Sequence, residues 1–399
     1  MTPIYFDNNS TTRVDPRVVE AMMPFFTEEF GNPSSMHSHG AKAQSAVKRA
    51  RGQVRALVGA EHDDEIVFTS GGTESANVAI QSALEASPQR REIVVSAVEH
   101  PAVLSVCAWI EKNKGIRVHV IPVDDKGRLD VAAYETALSE RVAVVSIMWA
   151  NNETGVIFPV VELAKAAKAV GAHFHTDAVQ AAGKVPIELK PSDVGMLSLT
   201  GHKLHGPKGI GALYVKRSVR FSPQIRGGHQ ERGRRAGTEN TTGIVGLGRA
   251  AELAAARMTE DVTHVRALRD RLEQGLVARI RDCFVVGDHG NRLANTTNIA
   301  FQNVEGEDIV LLLDKADVAA SLGSACTAGS FEPSHVLKAM KVPDAAVRGG
   351  VRFSLSRDNT EEEVDRALEI VTGVIGKLRD ISRPCSKEGA APVFDSAHA

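Results

Sequence analysis

One lysine of the sequence stands where its amine could react with a carbonyl compound. Lys203 follows the apolar run MLSLT and precedes a turn rich in glycine and proline. A lysine at such a strand end can be partly desolvated, and its neutral amine then forms a Schiff base with an aldehyde. Lys208, inside GPKG, is a competing amine, although a turn residue is the simpler interpretation of it. The segment therefore predicts a carbonyl-binding lysine, with Lys203 as the first candidate.

A glycine pair and an acidic residue supply what a phosphorylated aldehyde cofactor would need beside this lysine. Gly71, Gly72 and Thr73 follow EIVFTS and open a helical pattern, so backbone N–H groups and a hydroxyl would face a phosphate. Asp177, in HFHTDAV, could keep a pyridine nitrogen protonated. For the glycine motif alone, a turn with Thr73 as helix cap is the more frequent alternative.

Polar residues follow other apolar runs in the same way. Glu99-His100-Pro101 follows EIVVSAV, the NNETG motif from Asn151 follows VAVVSIMWA, and Gln180 lies just beyond HFHTDAV. Ligands of open α/β sheets bind beyond the carboxyl ends of the strands. A single histidine is more often structural, and NNETG alone is a turn, but their recurrence at successive strand ends indicates one site.

Cys326 differs from the other cysteines in its surroundings. It lies in GSACTAGS, a run of small residues that predicts an exposed loop, whereas Cys107 and Cys283 lie in apolar segments and are predicted to pack in the core. The sequence contains no CxxC pair, which argues against a disulfide framework or a structural zinc site. Arg352, in VRFSLSR, could bind a substrate carboxylate through two hydrogen bonds or form a surface ion pair.

The composition excludes some classes of partner. The 399 residues carry 47 basic and 49 acidic side chains, so the formal net charge of −2 gives no overall attraction to nucleic acid or anionic membrane. The sequence shows no targeting signal and no apolar stretch long enough to span a bilayer. We therefore expect a cytoplasmic protein whose partners are small molecules and other proteins.

The elements that position these residues follow an α/β pattern. Short apolar runs alternate with amphipathic stretches between about residues 40 and 215, which predicts a doubly wound domain with a mostly parallel seven-stranded sheet. The predicted strands are 65–70, 92–98, 117–123, 142–150, 173–179, 196–200 and 211–215. A Gly/Arg-rich stretch and a helix from Ile244 to about Ile280 follow.

The remaining segments predict a second domain. Short strand and helix patterns after the long helix indicate a smaller α+β domain, with a disordered tail from about Arg383. We place the boundary inside the long helix. This gives a large domain of residues 13–256 and a small domain of residues 1–12 and 257–399, which carries the cysteine loop at about 321–333.

Together these motifs resemble the cysteine desulfurases of the NifS/IscS type, within the class V aminotransferase family of fold-type I pyridoxal-phosphate enzymes. The resemblance runs nearly end to end, and GSAC followed by EPSHVL is its most specific part. Its other motifs are YFDNNSTT, GNPSSMHSHG, FTSGGTESAN, VEHPAV, ANNETG, HTDAVQAAGK, SLTGHKLHGPKGIGALYV and RAGTEN.

The resemblance implies a role for each residue of the predicted site. Lys203 would hold pyridoxal 5'-phosphate as a Schiff base, His100 would stack on its ring and move protons, and Cys326 would be the nucleophile. Asn151 and Arg352 would hold the substrate carboxylate, and Asn151 would also contact the cofactor. The other cofactor-binding residues would be Asp177 at the ring nitrogen, Gln180 at the ring hydroxyl, Gly72, Thr73, Thr200 and His202 at the phosphate, and Thr238 from the second subunit of a homodimer.

The resemblance also implies a reaction. L-cysteine would become L-alanine, with the sulfur held as a persulfide on Cys326 and passed to an iron–sulfur scaffold or another acceptor protein. RAGTEN with EPSHVL favours the nitrogen-fixation type, that is, nitrogenase maturation. A housekeeping sulfur donor for iron–sulfur clusters or thiolation and a selenocysteine lyase are alternatives, whereas Cys326 argues against an aminotransferase. The protein itself would bind no metal, although Cys326 could contact a cluster during transfer.

Two alternatives come from other classes. His173, His175, Asp177, His202 and His205 could be metal ligands of a hydrolase, but their spacing matches no recognised zinc signature. The stretch RGGHQERGRR could bind RNA, but it is short and contains no aromatic residue for base stacking. We rank both below the desulfurase.

Overall fold

Seven strands form the central sheet of the computed structural model, which describes residues 2–322 and 333–382. Their order across the sheet is β2-β8-β7-β6-β5-β3-β4, and β8 runs antiparallel to both of its neighbours. All seven were predicted from sequence, and the mostly parallel sheet is confirmed. The strands of this sheet are β2 (Ile66–Thr69), β3 (Glu92–Ser96), β4 (Arg117–Ile121), β5 (Val142–Ser146), β6 (His173–Asp177), β7 (Met196–Thr200) and β8 (Gly211–Val215).

Helices cover both faces of this sheet. The helices up to residue 279 are α1 (Pro16–Met22), α2 (Pro24–Thr27), α3 (Ser38–Leu57), α4 (Gly72–Ala86), α5 (Pro101–Lys114), α6 (Val131–Ala137), α7 (Val160–Ala169) and α8 (Thr241–Arg279). Successive strand residues point to opposite faces, so Ile66 packs in one apolar cluster and Val67 in another. Helices α3, α7 and the first part of α8 contribute to the first cluster, and α4 and α5 to the second. Both faces of the strands are therefore buried, as their β-branched runs predict.

A second, smaller group of elements consists of the N-terminal strand β1 and the strands and helices after α8. A three-stranded antiparallel sheet has the order β12-β10-β9, and β1 pairs in parallel with β11. The strands are β1 (Ile4–Tyr5), β9 (Cys283–Val286), β10 (Thr296–Phe301), β11 (Val318–Ala319) and β12 (Gly350–Ser354). The helices are α9 (Gly306–Asp314), α10 (His335–Ala339), α11 (Asp344–Val347) and α12 (Glu361–Ser382).

The apolar core changes along α8. Ile244 to Ala254 pack against the large sheet, whereas Val265 to Leu276 pack in a separate cluster with Ile4, Phe6 and residues of α12. This change supports the boundary that we predict at residues 256 and 257, and the division into domains stays a prediction. No helix among the described residues is both long enough and apolar enough to cross a membrane.

A buried ion pair attaches the Gly/Arg-rich stretch before α8 to the sheet. Arg51 of α3 donates from two nitrogens to the carboxylate of Glu231, with both distances 2.7 Å, and also to the Ile66 carbonyl. The Phe68 N–H donates to the same carboxylate at 3.2 Å. Only 8% of the Arg51 side chain and 3% of the Glu231 side chain are exposed. The loop that carries Thr238 is therefore fixed at its base by a charge pair removed from water.

Replacing Glu231 by Gln should destabilise the protein strongly. The change leaves the Arg51 guanidinium buried without a counter-charge, which costs about 3–5 kcal/mol. The midpoint of urea unfolding measures the loss.

The matched control is Asp365→Asn. Arg271 and Asp365 also form a bidentate ion pair, through Nε and Nη2 with both distances 2.7 Å, but on the protein surface. We expect a much smaller shift of its urea midpoint because water can replace the lost contact. Equal losses in the two variants would mean that burial does not set the strength of the Arg51 pair.

Candidate active site

The amine of Lys203 lies at the carboxyl edge of the large sheet. β7 ends at Thr200, and a single 3-10 turn, Gly201–Lys203, follows directly. A Cβ on Gly201 would come within 2.8 Å of the Pro207 carbonyl oxygen, so the turn is too tight for a larger residue. Lys203 Nζ donates to the main-chain carbonyls of Asn9 and Ser10. The lysine is thus held between the sheet edge and the N-terminal segment.

Asp177 ends the neighbouring strand β6, and its side chain is buried. One carboxylate oxygen accepts the Val179 N–H at 2.9 Å, and the carboxylate forms no ion pair with another described residue. Burial raises the pKa of Asp177, while the charge of His100, the Val179 N–H and the charge of Lys203 act in the opposite direction. A cationic N–H placed against this carboxylate would supply the missing counter-charge.

His100 caps the N-terminus of α5. Its Nδ1 accepts the Ala102 N–H at 3.1 Å, so the neutral ring carries its proton on Nε2. The charge of His100 lowers the pKa of both Asp177 and the buried Glu153, which places the ring beside these two carboxyls. His100 and Lys203 therefore lie near the same buried aspartate.

The glycine motif meets β7 and the loop after β6. Helix α4 begins at Gly72, and a Cβ on that glycine would come within 2.8 Å of Val179. A Cβ on Gly71 would lie 3.8 Å from the Thr200 hydroxyl, which donates to the Ile210 carbonyl at 3.1 Å. Thr73 is exposed in the first turn of α4. A helix N-terminus with close backbone approach is an anion-binding arrangement.

His202 and Gln180 adjoin Lys203. Burial, then the charges of Lys203 and Lys208, lower the pKa of His202 to about 4, so its ring is neutral at neutral pH. Its Nδ1 lies 3.3 Å from the Thr11 hydroxyl. Gln180 Nε2 donates at 3.0 Å to the Asn9 carbonyl, which Lys203 also contacts. The N-terminal segment thus contacts both side chains.

Arg352 is almost fully buried, with 2% of its surface exposed. Its Nη2 donates to Asp7 at 2.7 Å and to the Ser10 hydroxyl at 2.8 Å, and its Nη1 donates to the Asn152 carbonyl at 3.0 Å. Its Nε has no partner among the described residues. The alternative of a surface ion pair is wrong, because Arg352 lies in the interior beside the N-terminal segment.

The Asn151 side chain shapes its own turn. Its oxygen accepts the N–H groups of Glu153 and Thr154 at 2.9 and 3.0 Å, and its nitrogen donates to the Val98 carbonyl at 3.0 Å. These bonds join the end of β5 to the end of β3. Its role as a substrate ligand stays a prediction, and the observed contacts favour a structural role.

The site also contains two buried glutamates, Glu99 and Glu153, for which the sequence motifs predicted no role. Glu99 is fully buried; one oxygen accepts from Ser96 at 2.5 Å and from the Met148 N–H at 2.9 Å, and the other has no partner among the described residues. Burial raises the pKa of Glu99 to about 8, despite the bonds from Ser96 and Met148, and the charge of Asp177 adds to the rise. Glu153 accepts from Ser334 at 2.5 Å, and burial raises its pKa as well. Their positions in the EHP and NNETG motifs were a sequence signal for the site, but neither motif shows that the two side chains are buried.

The other predicted residues have varied positions. Thr238 is exposed in the loop before α8, and Lys208 is exposed in its turn. Cys326 lies outside the described residues. His175 is buried between the hydroxyls of Ser146 and Ser198, both at 2.8 Å, and burial lowers its pKa to about 3. It is a neutral core histidine.

Several residues on which the metal-hydrolase and RNA-binding alternatives depend have partners within the protein. Within the described part of the chain, no group of three or more His, Cys, Asp or Glu side chains could hold a metal ion. Two arginines of the RGGHQERGRR stretch bind the protein, since Arg235 pairs with Glu74 at 3.1 Å and Arg234 donates to the Asp64 carbonyl. Neither arrangement supports a metal hydrolase or an RNA-binding loop.

A lysine, a buried aspartate and a helix N-terminus at one edge of a mostly parallel sheet define a fold-type I pyridoxal-phosphate enzyme. The chain belongs to the class-V aminotransferase family, whose model matches residues 4–367. This family uses pyridoxal 5'-phosphate. The fold class, family and cofactor predicted from the sequence are therefore confirmed.

Similar proteins cover the chain almost completely. It is 62% identical over 399 residues to a cysteine desulfurase of Gluconacetobacter diazotrophicus, covering 99% of this chain and all of the relative. It is 57% identical to the cysteine desulfurase NifS of Azotobacter vinelandii, covering 100% of this chain and 98% of the relative.

Solved structures agree with these relatives. A NifS-like protein has a TM-score of 0.88 and 37% identity, over 94% of this chain and 100% of that one. SspA in complex with cysteine has a TM-score of 0.77 and 34% identity, over 90% of this chain and 100% of that one.

Replacing Glu99 by Gln should change how stability depends on pH. The raised pKa means that the folded protein keeps the Glu99 proton between its ordinary value of 4.5 and about 8, while the unfolded chain releases it. The contribution of Glu99 to stability is therefore complete below pH 4.5 and is lost as the pH rises to 8, by up to about 1.4 kcal/mol per pH unit. The glutamine side chain of the variant does not titrate and keeps an oxygen for Ser96 and Met148. The variant should gain stability relative to wild type as the pH rises.

Urea midpoints at pH 5, 6.5 and 8 measure this difference. The exposed Glu369, whose replacement by Gln changes the same charge at the surface, is the control and should give a profile parallel to wild type. A Glu99→Gln profile that is also parallel to wild type would show that Glu99 has no raised pKa in the folded protein.

Proposed function

We propose that this chain is a pyridoxal-phosphate-dependent cysteine desulfurase. It converts L-cysteine to L-alanine and holds the sulfur as a persulfide on Cys326. The observation that carries this proposal is the convergence of Lys203, Asp177, His100 and the N-terminus of α4, in a chain 62% identical to a cysteine desulfurase. The complex of the similar SspA with cysteine supports the choice of substrate.

The residues present fit the cofactor. Pyridoxal phosphate, when bound, supplies an aldehyde carbon that bonds the substrate amine and a ring that withdraws electrons from the substrate. Asp177, which has no ion-pair partner among the described residues, would hold the ring nitrogen. Gly72, Thr73, Thr200 and His202 would hold the phosphate at the positive end of α4, and Gln180 would donate to the ring hydroxyl.

Lys203 and His100 move the protons of the reaction. The Lys203 Nζ, when it is not bonded to the cofactor, would accept the proton from the substrate Cα. The Asn9 and Ser10 carbonyls accept from Nζ and keep it at the sheet edge. The His100 Nε2 holds a second proton, because Nδ1 is occupied by the Ala102 N–H.

Arg352 would orient the substrate carboxylate. Its guanidinium is held rigidly by Asp7, Ser10 and the Asn152 carbonyl, with Nε still without a partner among the described residues. Such a fixed, desolvated guanidinium binds a carboxylate with defined geometry. Because Asp7 neutralises it in this structure, the substrate carboxylate must compete with Asp7 or approach another edge of the guanidinium.

Cys326 takes the sulfur. Its thiolate attacks the substrate sulfur, an S–S bond forms, and the Cβ–S bond breaks with its electron pair remaining on the carbon skeleton. Protonation of that carbon and release of the amino acid then give alanine. The two described thiols are poor alternatives, because burial raises the pKa of Cys107 to about 12 and also raises that of Cys283.

Partners follow from the same proposal. The chain would act in the cytoplasm as a homodimer in which Thr238, exposed before α8, reaches the phosphate of the second subunit. The persulfide would pass to an iron–sulfur scaffold or another acceptor protein. The 57% identity to a protein named NifS, together with RAGTEN and EPSHVL, favours nitrogenase maturation as the destination.

Lys203→Ala should abolish covalent attachment of the cofactor and lower turnover by about 10³-fold or more, because the variant loses both the bonding amine and the proton carrier. Borohydride reduction followed by mass mapping locates the modified lysine. Lys208→Ala, which removes an exposed amine five residues away in sequence, should keep attachment and turnover. Cofactor mass on Lys208 in the wild type would contradict the assignment.

Cys326→Ser should stop alanine formation from cysteine while cofactor attachment to Lys203 persists. Serine cannot form a persulfide, and the label of ³⁵S-cysteine should be absent from residue 326 of the variant. Cys283→Ser, which replaces a half-buried thiol, is the control and should keep activity. Unchanged alanine production by Cys326→Ser would remove the proposed nucleophile.

A further inference from the structure

A second lysine is connected to Lys203 by hydrogen bonds through the protein. Lys184 Nζ donates to Gln180 Oε1 at 2.9 Å, and Gln180 Nε2 donates to the Asn9 carbonyl at 3.0 Å. The same carbonyl accepts from Lys203 Nζ. Two amines are therefore joined through one amide side chain and one main-chain oxygen.

This connection fixes which end of the Gln180 amide faces the cofactor site. A carbonyl oxygen only accepts hydrogen bonds, so the group that meets Asn9 must be the Gln180 amide nitrogen. The amide oxygen then faces Lys184, which donates to it. The second hydrogen of the amide nitrogen is left as a donor for the ring hydroxyl that we assign to Gln180.

Both lysines also line one cavity. The cavity has a volume of about 610 Å³ and is partly open to solvent. Its lining includes Lys184, Lys203, His205, Arg357 and Asp261. Arg357 and Asp261 pair at 3.3 Å, and Arg357 also pairs with Asp15 at 2.6 Å. The carboxylate of Asp261 is therefore already shared with a guanidinium.

The charges around Lys184 are mostly positive. Burial, then the charges of Lys203 and Arg352, lower the pKa of Lys184 to about 7. Lys184 in turn lowers the pKa of His205. The Lys184 amine is therefore largely neutral above pH 7, and it still has N–H groups to donate to Gln180.

We propose that Lys184 is a positioning residue for the desulfurase site. It holds the Gln180 amide so that the remaining N–H of that amide faces the cofactor. The inference rests on the proposed function, because it concerns the amide that would bind the ring hydroxyl of pyridoxal phosphate.

Two variants separate the hydrogen bond from the charge. Lys184→Met removes both, and Lys184→Gln removes the charge but keeps an N–H donor for Gln180. Lys190→Met is the control, because Lys190 is exposed, pairs with Glu61 at 3.3 Å and carries the same charge. The affinity of each variant for pyridoxal phosphate is measured by titrating the apoprotein with the cofactor.

Lys184→Met should weaken cofactor binding several-fold, whereas Lys184→Gln should weaken it less because Gln180 keeps its orientation. Lys190→Met should not change the affinity. If Lys184→Met does not fold, a several-fold loss of affinity in Lys184→Gln would contradict the proposal, because that variant keeps the donor.

Equal affinities of the Met, Gln and wild-type proteins would overturn the positioning of Gln180. Failure of the proposed function looks different, because in that case the wild-type protein itself would not bind pyridoxal phosphate.

Discussion

The contact of the Lys203 amine with the carbonyls of Asn9 and Ser10 joins segments 194 and 193 residues apart, and the rest of the site depends on it. These carbonyls have to be fixed for the amine to be fixed. The strand before them pairs with β11, and Thr12 after them donates twice to the His202 carbonyl, at 2.9 and 3.0 Å. The N-terminal segment is therefore part of the active site.

The balance of charges around this contact suits an anionic ligand. Burial raises the pKa of Glu99 to about 8 and also raises that of Glu153, so Glu99 is mostly protonated at neutral pH, and Asp7 is paired with Arg352. Asp177 remains as a buried carboxylate for a ring nitrogen. Lysine amines and a helix N-terminus then dominate the edge of the sheet, which matches a cofactor phosphate and a substrate carboxylate.

The sequence predicted the sheet well because its strands are buried on both faces and are therefore continuous apolar runs. Strand ends were less accurate: β5 ends at Ser146 rather than at the predicted residue 150, since Ala150 leaves the sheet to bridge with Ile157. The polar side chains at the strand ends could be assigned to one site from the sequence, because parallel strands end at the same edge of the sheet. The role of the Asn9 and Ser10 carbonyls could not be predicted, because a backbone oxygen has no residue-type signal.

The amine and the thiol of this reaction place opposite demands on the chain. Lys203 follows a strand by a single tight turn, whereas Cys326 lies five residues after Ser321 and eight before Ser334. Both of these residues are attached at the site, Ser321 by backbone bonds to Arg352 and Ser334 by its hydroxyl to Glu153. Five residues span at most roughly 17 Å. If Cys326 carries the sulfur as proposed, the acceptor has to come within about that distance of Ser321, and the surface that receives sulfur adjoins the site that releases it.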